Sequence, residues 1–481
     1  MKLLNKEIVN KEYKKIKIMQ FGEGNFLRAF TDWIIQKMND SNKYEGHVVV
    51  VQPLNFGRVK ELAEQDGLFT LYLQGLNNGE VVKNHEVIDV LDDFINPYSE
   101  YDKFLKYAES EDLEVVISNT TEAGIVLDET NVDYSITPKT FPGKVLALLR
   151  HRYEHFNKDV TKGLSFICCE LIDYNGDELR RCVLGLAKVK GYEEEFIEWI
   201  NNACHFTSTL VDRIVPGYPR DEIKEITEEL GYIDNNIVKG EIFHLWVLQK
   251  EETIQRLFPC DQVGLNVIYA DSITPYKQRK VKILNGCHTC LVPVAYLYGI
   301  DTVRESIENE HVGRFCKEFV FDEVVPTINL PQDQMVSFAN SVFERYLNPF
   351  VRHELMSIAL NSISKYKARV MQTVKDYYEL HKSLPTHAMF SLASLIKFYF
   401  GQRSEIETIK LNDDPKYLAF FEELKAKNLS EEEVVKEVLA NEEMWSEDLN
   451  KFANMHEVVT SYLKLINEKG MKEALVSFLD K

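Results

Sequence analysis

The chain is expected to fold as an α/β domain on an open, mainly parallel sheet, followed by a mainly α-helical domain. Three observations predict this. Short apolar runs alternate with helical periodicity over the first third of the sequence. A Gly22-Glu23-Gly24 turn joins one such run to the helical pattern after it. From about Thr274 onward strand signals nearly vanish and long helical patterns take over. A length of 481 residues favours two domains over one, and the change of pattern sets them at 1–265 and 266–481.

The elements follow in order. Residues 15–20 (KIKIMQ) alternate polar and apolar as a strand does, and FGEGNF turns out of it. Phe26, Phe30, Trp33, Ile34 and Met38 then recur at helical spacing. Residues 47–51 (HVVVV) suit a strand buried on both faces. Residues 68–76 and 79–92 read as a hairpin turning at Asn77-Asn78-Gly79. LEVVISNT (113–120) and LSFICCELI (164–172) are further buried strands.

A glycine turn between strand and helix is the setting of a dinucleotide site in a Rossmann-like domain. The first glycine permits the turn, and the second lets a pyrophosphate approach the helix. Gly22, Gly24, Asn25 and Phe26 form the candidate cradle. Leu27 stands where a third glycine is usual, so a plain strand-to-helix turn is the alternative. Gln52 ends the second strand, where NAD sites often carry an acid for the ribose. It can hydrogen-bond a ribose but does not repel a 2′-phosphate, and Arg58 nearby raises the question of NADP. Ser118–Glu122, with Asn119 and Thr120 as candidate cofactor residues, falls where the crevice of such a sheet meets the nicotinamide half. A capped loop without a ligand is the bland reading of that segment.

Helices are expected at 275–299 (kinked at Pro293), 334–347, 351–380, 387–400 and several times after 415. Thr274-Pro275 starts the first of these, and Ser430 with Glu433 makes a capping box. Residues 403–481 read as a solvated outer layer. In the run KVKILNGCHT, Lys280, Asn285 and His288 fall within an arc of about 140° on an α-helix, so one face presents a polar set. Gly286 inside that helix suggests close approach to the backbone. Singly, these residues read as a surface lysine, a helix-interior asparagine and a satisfied core histidine.

The net charge of −20 argues against nucleic acid or an anionic membrane as partner. The N-terminal residues lack the apolar core of a signal peptide, and no apolar run is long enough to span a membrane. The eight scattered cysteines read as reduced thiols of a cytoplasmic protein. Cys287 and Cys290 form a CxxC without a second ligand pair, so no metal is expected. The sequence carries no signature of an oligomeric state.

GEGNFLRAF, SNTTEAG, CELIDYNGDELR, LVDRIVP and KVKILNGCH occur in this order. Together they resemble the polyol-specific long-chain dehydrogenase/reductase family, the mannitol dehydrogenase family, over nearly the whole chain. That family's catalytic pattern is Lys, four residues, Asn, two residues, His, matched here by Lys280, Asn285 and His288. FGEGNFLRAF, CELIDYNGDELR and NPFVRHEL look most like its tagaturonate reductase (altronate oxidoreductase) branch. The resemblance implies NADH-dependent, reversible reduction of tagaturonate to altronate in hexuronate catabolism, with the lysine as general acid. Fructuronate reduction and a mannitol-type polyol dehydrogenase are the sister alternatives, and a non-catalytic nucleotide-binding sensor is the alternative of another class.

One departure stands out. Several polyol dehydrogenases of the family read Cys-Asp-Asn or Cys-Glu-Asn, whereas this chain has Cys169-Glu170-Leu171. Asn175 is the candidate that compensates for the missing amide. A uronate carboxylate also calls for cations, and Arg345, Arg352, His353, Lys365, Lys367 and Arg369 are available. Lys365 and Arg369, one helical turn apart, are the candidate clamp. Arg28 and Asp212-Arg213 match family positions near the cleft, with salt bridging between domains as their other reading. Lys282, two residues from Lys280, is expected to point outward.

Overall fold

The computed structural model describes residues 1–121, 123–130, 133–404 and 406–480. Two compact units make up the chain: Met1–Gly75 with Val81–Ile273, and Leu76–Glu80 with Thr274–Lys481. The strands, all in the first unit but for the tips of β3 and β4, are β1 (Ile16–Phe21), β2 (His47–Val51), β3 (Phe69–Asn77), β4 (Glu80–Ile88), β5 (Leu91–Ile95), β6 (Val115–Ser118), β7 (Ser165–Cys168), β8 (His205–Thr207), β9 (Thr209–Asp212), β10 (Val238–Glu241), β11 (Leu245–Gln249) and β12 (Val267–Ala270).

Six of them form one parallel sheet in the order β5-β2-β1-β6-β7-β8. The two-residue period of a strand divides its side chains between two cores. Ile18, Val48, Val50, Val115 and Ile117 pack with Ile34, Ile35 and Met38 on one face. Met19, Phe21, Val49, Val51 and Val116 pack with Val145, Leu148, Leu179 and Leu186 on the other. Burial on both faces is why HVVVV carries no polar alternation, and each valine contributes about 1.5 kcal/mol or more. The strand order reverses between β1 and β6, so the C-terminal ends of these two strands flank the crevice where such sheets take ligands.

The parallel-sheet expectation is borne out. The hairpin also forms, with Asn78 (φ 54°) and Gly79 (φ 80°) both left-handed at its tip. Its second arm is shorter than expected: the run 79–92 is β4 and the start of a separate strand, β5. β8 to β12, of three to five residues each, were not anticipated from the sequence. β12 pairs in parallel with β11, which carries the first unit to Ile273, eight residues beyond the expected boundary of 265.

In the second unit, the helix Gly286–Tyr298 is buried from Gly286 to Tyr296 and continues through Pro293. It packs against Thr386–Tyr399, which packs in turn on Met455–Leu479. The C-terminal region is therefore not a solvated outer layer. Met455, Val459, Leu463, Ile466 and Leu475 are buried in the core, while the Ser430–Glu433 capping box forms as expected. The single helix expected at 351–380 is three: Leu355–Ile358, Ser362–Arg369 and Met371–His381. Asn361 (φ 55°) turns left-handed ahead of the second, ending any continuous helix there. No helix among the described residues is long and apolar enough to cross a membrane.

Candidate active site

The polar segment of the second unit does not lie on a regular α-helix. Thr274–Arg279 is α-helical, Lys280–Asn285 is a π-helical turn, and the α-helix resumes at Gly286. Five α-helical steps would set Lys280 and Asn285 about 140° apart. In a π turn, hydrogen bonds join residues five apart, which places Lys280 and Asn285 one above the other. The wider turn therefore brings the two polar groups together. Lys280 and Asn285 are both half-buried. The Asn285 carbonyl accepts from the Thr289 hydroxyl (2.9 Å), while its side-chain amide has no partner among the described residues. Tyr346, which the sequence did not single out, donates to the Leu284 carbonyl at 2.6 Å and holds the turn.

Gly286 meets the chain itself. A Cβ there would lie 3.4 Å from the carbonyl oxygens of both Arg369 and Val281, close to ordinary contact, so the end of the helix Ser362–Arg369 packs against this position without demanding a glycine. Lys282, expected to point outward, is instead buried, paired to Asp376 at 2.5 Å and bonded to the Thr327 hydroxyl at 3.1 Å. Cys287 and Cys290 are buried free thiols.

His288 is buried, tilted against the Tyr346 ring at 4.3 Å and 5.0 Å from the His353 ring. Its Nε2 is enclosed and has no hydrogen-bond partner among the described residues. Burial, and then the charges of His353, Arg345, Arg369 and Lys365, hold its pKa well below the ordinary value. Three of the proposed cations, Arg345, Lys365 and Arg369, thus act on one imidazole, and His353, whose own pKa burial lowers, stands beside it. The Arg369 guanidinium reaches the Thr289 hydroxyl (3.4 Å), and Lys365 donates to the Ile358 carbonyl (2.9 Å). Burial lowers the pKa of both, and Arg369 adds to the effect on Lys365. The other two do not join them. Arg352 is exposed and pairs with Glu354, and Lys367 lies beside Met371 and Trp445 on the opposite helix face.

In the first unit, Gly22 adopts φ 127°, and a Cβ there would meet the Asn119 carbonyl oxygen at 3.1 Å and Leu27 at 3.0 Å. A Cβ on Gly24 would project into open space, which suits the approach of a phosphate. Two buried side chains set the turn's polarity: Gln20 donates to the Gly22 carbonyl (3.1 Å) and Arg28 to the Glu23 carbonyl (3.3 Å). A trans peptide points C=O and the following N–H in opposite directions, so the N–H groups of Glu23 and Gly24 face away from that interior, that of Glu23 toward its own carboxylate. This arrangement fits a dinucleotide phosphate. Gln20 could have been noticed as an amide ending an apolar strand.

Arg28 also donates to the Asn25 side chain (2.7 Å) and the Asn236 carbonyl, and Arg213 to the carbonyls of Ala29 (2.6 Å), Ile242 and Phe243 (both 3.2 Å). Both arginines hold backbone within this unit. Asp212 ends β9 and is buried. Phe26 stacks on Phe30 at 5.0 Å. Gln52 is buried and donates to the Leu54 carbonyl (2.9 Å), and Asn119 donates to the Cys169 carbonyl (3.0 Å). Thr120 gives both its N–H and its hydroxyl to the buried Glu170 (3.0 Å each), so it shapes the loop and has no donor left for a cofactor. Glu122 lies outside the described residues.

Asn175 requires a correction. It is fully buried, donates to the Glu170 and Thr209 carbonyls (2.9 and 3.2 Å), and accepts from the N–H groups of Gly176 and Thr209 (3.0 and 2.8 Å). No donor remains for a substrate oxygen. Asn175→Ala is therefore expected to destabilise the protein by about 3 kcal/mol, because it strands buried backbone groups. Chemical denaturation would check this, and an unchanged midpoint with lost activity would restore a substrate role.

Residues 16–259 match the mannitol dehydrogenase Rossmann domain and residues 272–466 the mannitol dehydrogenase C-terminal domain. An altronate oxidoreductase from Phocaeicola vulgatus is 44% identical over 480 residues, spanning 100% of both chains. One from Bacillus subtilis is 43% identical, over 99% of this chain and 98% of its own. Among solved structures, substrate-free D-sorbitol dehydrogenase aligns with a TM-score of 0.82 at 23% identity, over 98% of this chain and 100% of its own. Pseudomonas fluorescens mannitol 2-dehydrogenase, in ternary complex with NAD and D-mannitol, gives 0.68 at 21% identity over 100% of both. At those identities the two structures speak for the fold alone. With both domains matched and full-length relatives above 40% identity, the chain belongs to the mannitol dehydrogenase family of oxidoreductases.

Proposed function

We propose that this protein interconverts tagaturonate and altronate with NAD(H), as a step in hexuronate catabolism. The observation that carries the reading is the unpartnered, buried Nε2 of His288 among Arg345, His353, Lys365 and Arg369. Such a cluster in a chain of net charge −20 fits an anionic sugar acid better than a neutral polyol. The altronate oxidoreductase name of its full-length relatives points the same way.

Gly22, Gly24, Asn25, Phe26, Gln52 and Asn119 are the residues that would hold the dinucleotide. Bound NADH would supply the hydride that the ketone carbon needs. The protein's own work is to manage the charge on oxygen. Lys280 donates a proton to the carbonyl oxygen as the alkoxide forms, and takes it back in the oxidation direction. Asn285 donates its amide to the same oxygen, worth about 3 kcal/mol in comparable sites. His288, kept neutral by burial and its cationic neighbours, hydrogen-bonds a substrate hydroxyl through Nε2. Arg369 and Lys365 receive the carboxylate.

The test is NADH consumption with tagaturonate, fructuronate and fructose in parallel. Fastest turnover of tagaturonate is expected. A preference for fructuronate keeps the mechanism and changes the substrate, and fructose as the best substrate returns the protein to the polyol dehydrogenases. Consumption with none of them would support a nucleotide-binding sensor instead.

A further inference from the structure

If the protein uses a nicotinamide dinucleotide, as proposed above, the end of β2 poses a problem. Gln52 is uncharged where a carboxylate would ordinarily receive the ribose hydroxyls and repel a 2′-phosphate. We propose that Glu23, from the glycine turn, supplies that carboxylate and selects NADH over NADPH.

The geometry places Glu23 beside Gln52. A Cβ built on Gly57 would collide with Glu23 Oε1 and lie 2.6 Å from Gln52 Cδ. The two side chains therefore lie together against the bare Cα of Gly57, and any other residue at 57 would push one of them away. The Arg58 N–H donates to Glu23 Oε1 at 3.3 Å, which fixes the carboxylate on this side of the turn. Burial raises the acid's pKa, but its own N–H, the Arg58 N–H and the charges of Arg28 and Arg58 all favour the anion.

Arg58 is the residue that suggested NADP from the sequence, and its guanidinium is engaged elsewhere through Nε and Nη2. Nε binds Glu61 at 2.7 Å, and Nη2 binds the Asn235 carbonyl at 3.0 Å and the Asn236 side chain at 3.2 Å. The polar neighbour left at the end of β2 is thus an acid. Two carboxylate oxygens can accept from the two hydroxyls of a ribose diol. A 2′-phosphate, carrying close to two negative charges at neutral pH, would meet a like charge there. Adverse contacts of this kind set specificity between two otherwise identical ligands.

The plain alternative is that Glu23 only caps the Arg58 N–H. Direct binding separates the two roles, since a structural role moves stability and both affinities together, whereas a selective role moves their ratio. By calorimetry on the full chain, wild type is expected to bind NADH about tenfold or more tighter than NADPH. Adenosine 5′-monophosphate and adenosine 2′,5′-bisphosphate should show the same order. Glu23→Gln should cut the ratio about tenfold, chiefly by improving NADPH binding, and Glu23→Asp should keep it. Gly57→Ala, which displaces the carboxylate without removing it, provides a second variant if Glu23→Gln does not fold, and should also lower the ratio. Equal wild-type affinities, or a ratio unmoved by Glu23→Gln and Gly57→Ala, overturn the assignment while leaving dinucleotide binding intact. Failure to bind either dinucleotide would overturn it together with the NAD(H) reading.

Discussion

Lys280→Ala is expected to lower kcat at least about 100-fold while NADH affinity stays within about twofold. A forming alkoxide is a strong base, and without a proton donor beside it the hydride transfer stalls. Lys280 is one of the two lysines of the π turn, and the one that shares a face with Asn285. Lys280→Arg separates charge from proton transfer. Arginine preserves the positive charge but does not release a proton near neutral pH, so it too should lose about 100-fold. Substantial activity in Lys280→Arg would reduce the residue's part to electrostatics. Loss of NADH binding in Lys280→Ala would move it out of the acid role altogether.

The second large effect is expected at Arg369. Arg369→Ala should raise KM for the uronate about tenfold or more, and KM for an uncharged ketose by less than about twofold. A charge-assisted hydrogen bond contributes about 1.5–3 kcal/mol, which corresponds to a tenfold to hundredfold change. Arg369 is the stronger choice over Lys365, because Lys365 already donates to the Ile358 carbonyl. The same substitution removes one of the positive charges that hold His288 neutral. The His288 pKa should rise, and the acid limb of the pH–rate profile should move to higher pH with it. Equal effects on both substrates would remove the carboxylate clamp, while an unmoved acid limb would show that His288 is not the group seen in the profile.

Local pattern made much of the protein legible. The apolar β-branched run at 47–51, the turn at 22–24 and the helix at 387–400 read correctly, because apolar runs, turn residues and helical periods are expressed over a few residues. Where pattern failed, long-range contacts had taken over. Asn175 has the composition of a substrate donor, yet the neighbouring β9 and the loop after β7 absorb all its hydrogen bonds. Arg28 and Arg213 read as cleft residues and turned out to hold backbone carbonyls in a buried interior.

Alone, the sequence determined the two-domain α/β and helical plan, the dinucleotide turn and the spacing of Lys280, Asn285 and His288. Tertiary structure decided how those three residues are presented, since one π turn replaces the angular step that the spacing assumes. It also decided which of the candidate cations act on His288: Arg345, His353, Lys365 and Arg369 do, while Arg352 pairs with Glu354 and Lys367 lies beside Met371 and Trp445. Spacing along a chain fixes the direction of a side chain only within one regular element. Convergence of groups some 60 to 80 residues apart, as between His288 and these cations, depends on how helices pack, and no period in the sequence records that.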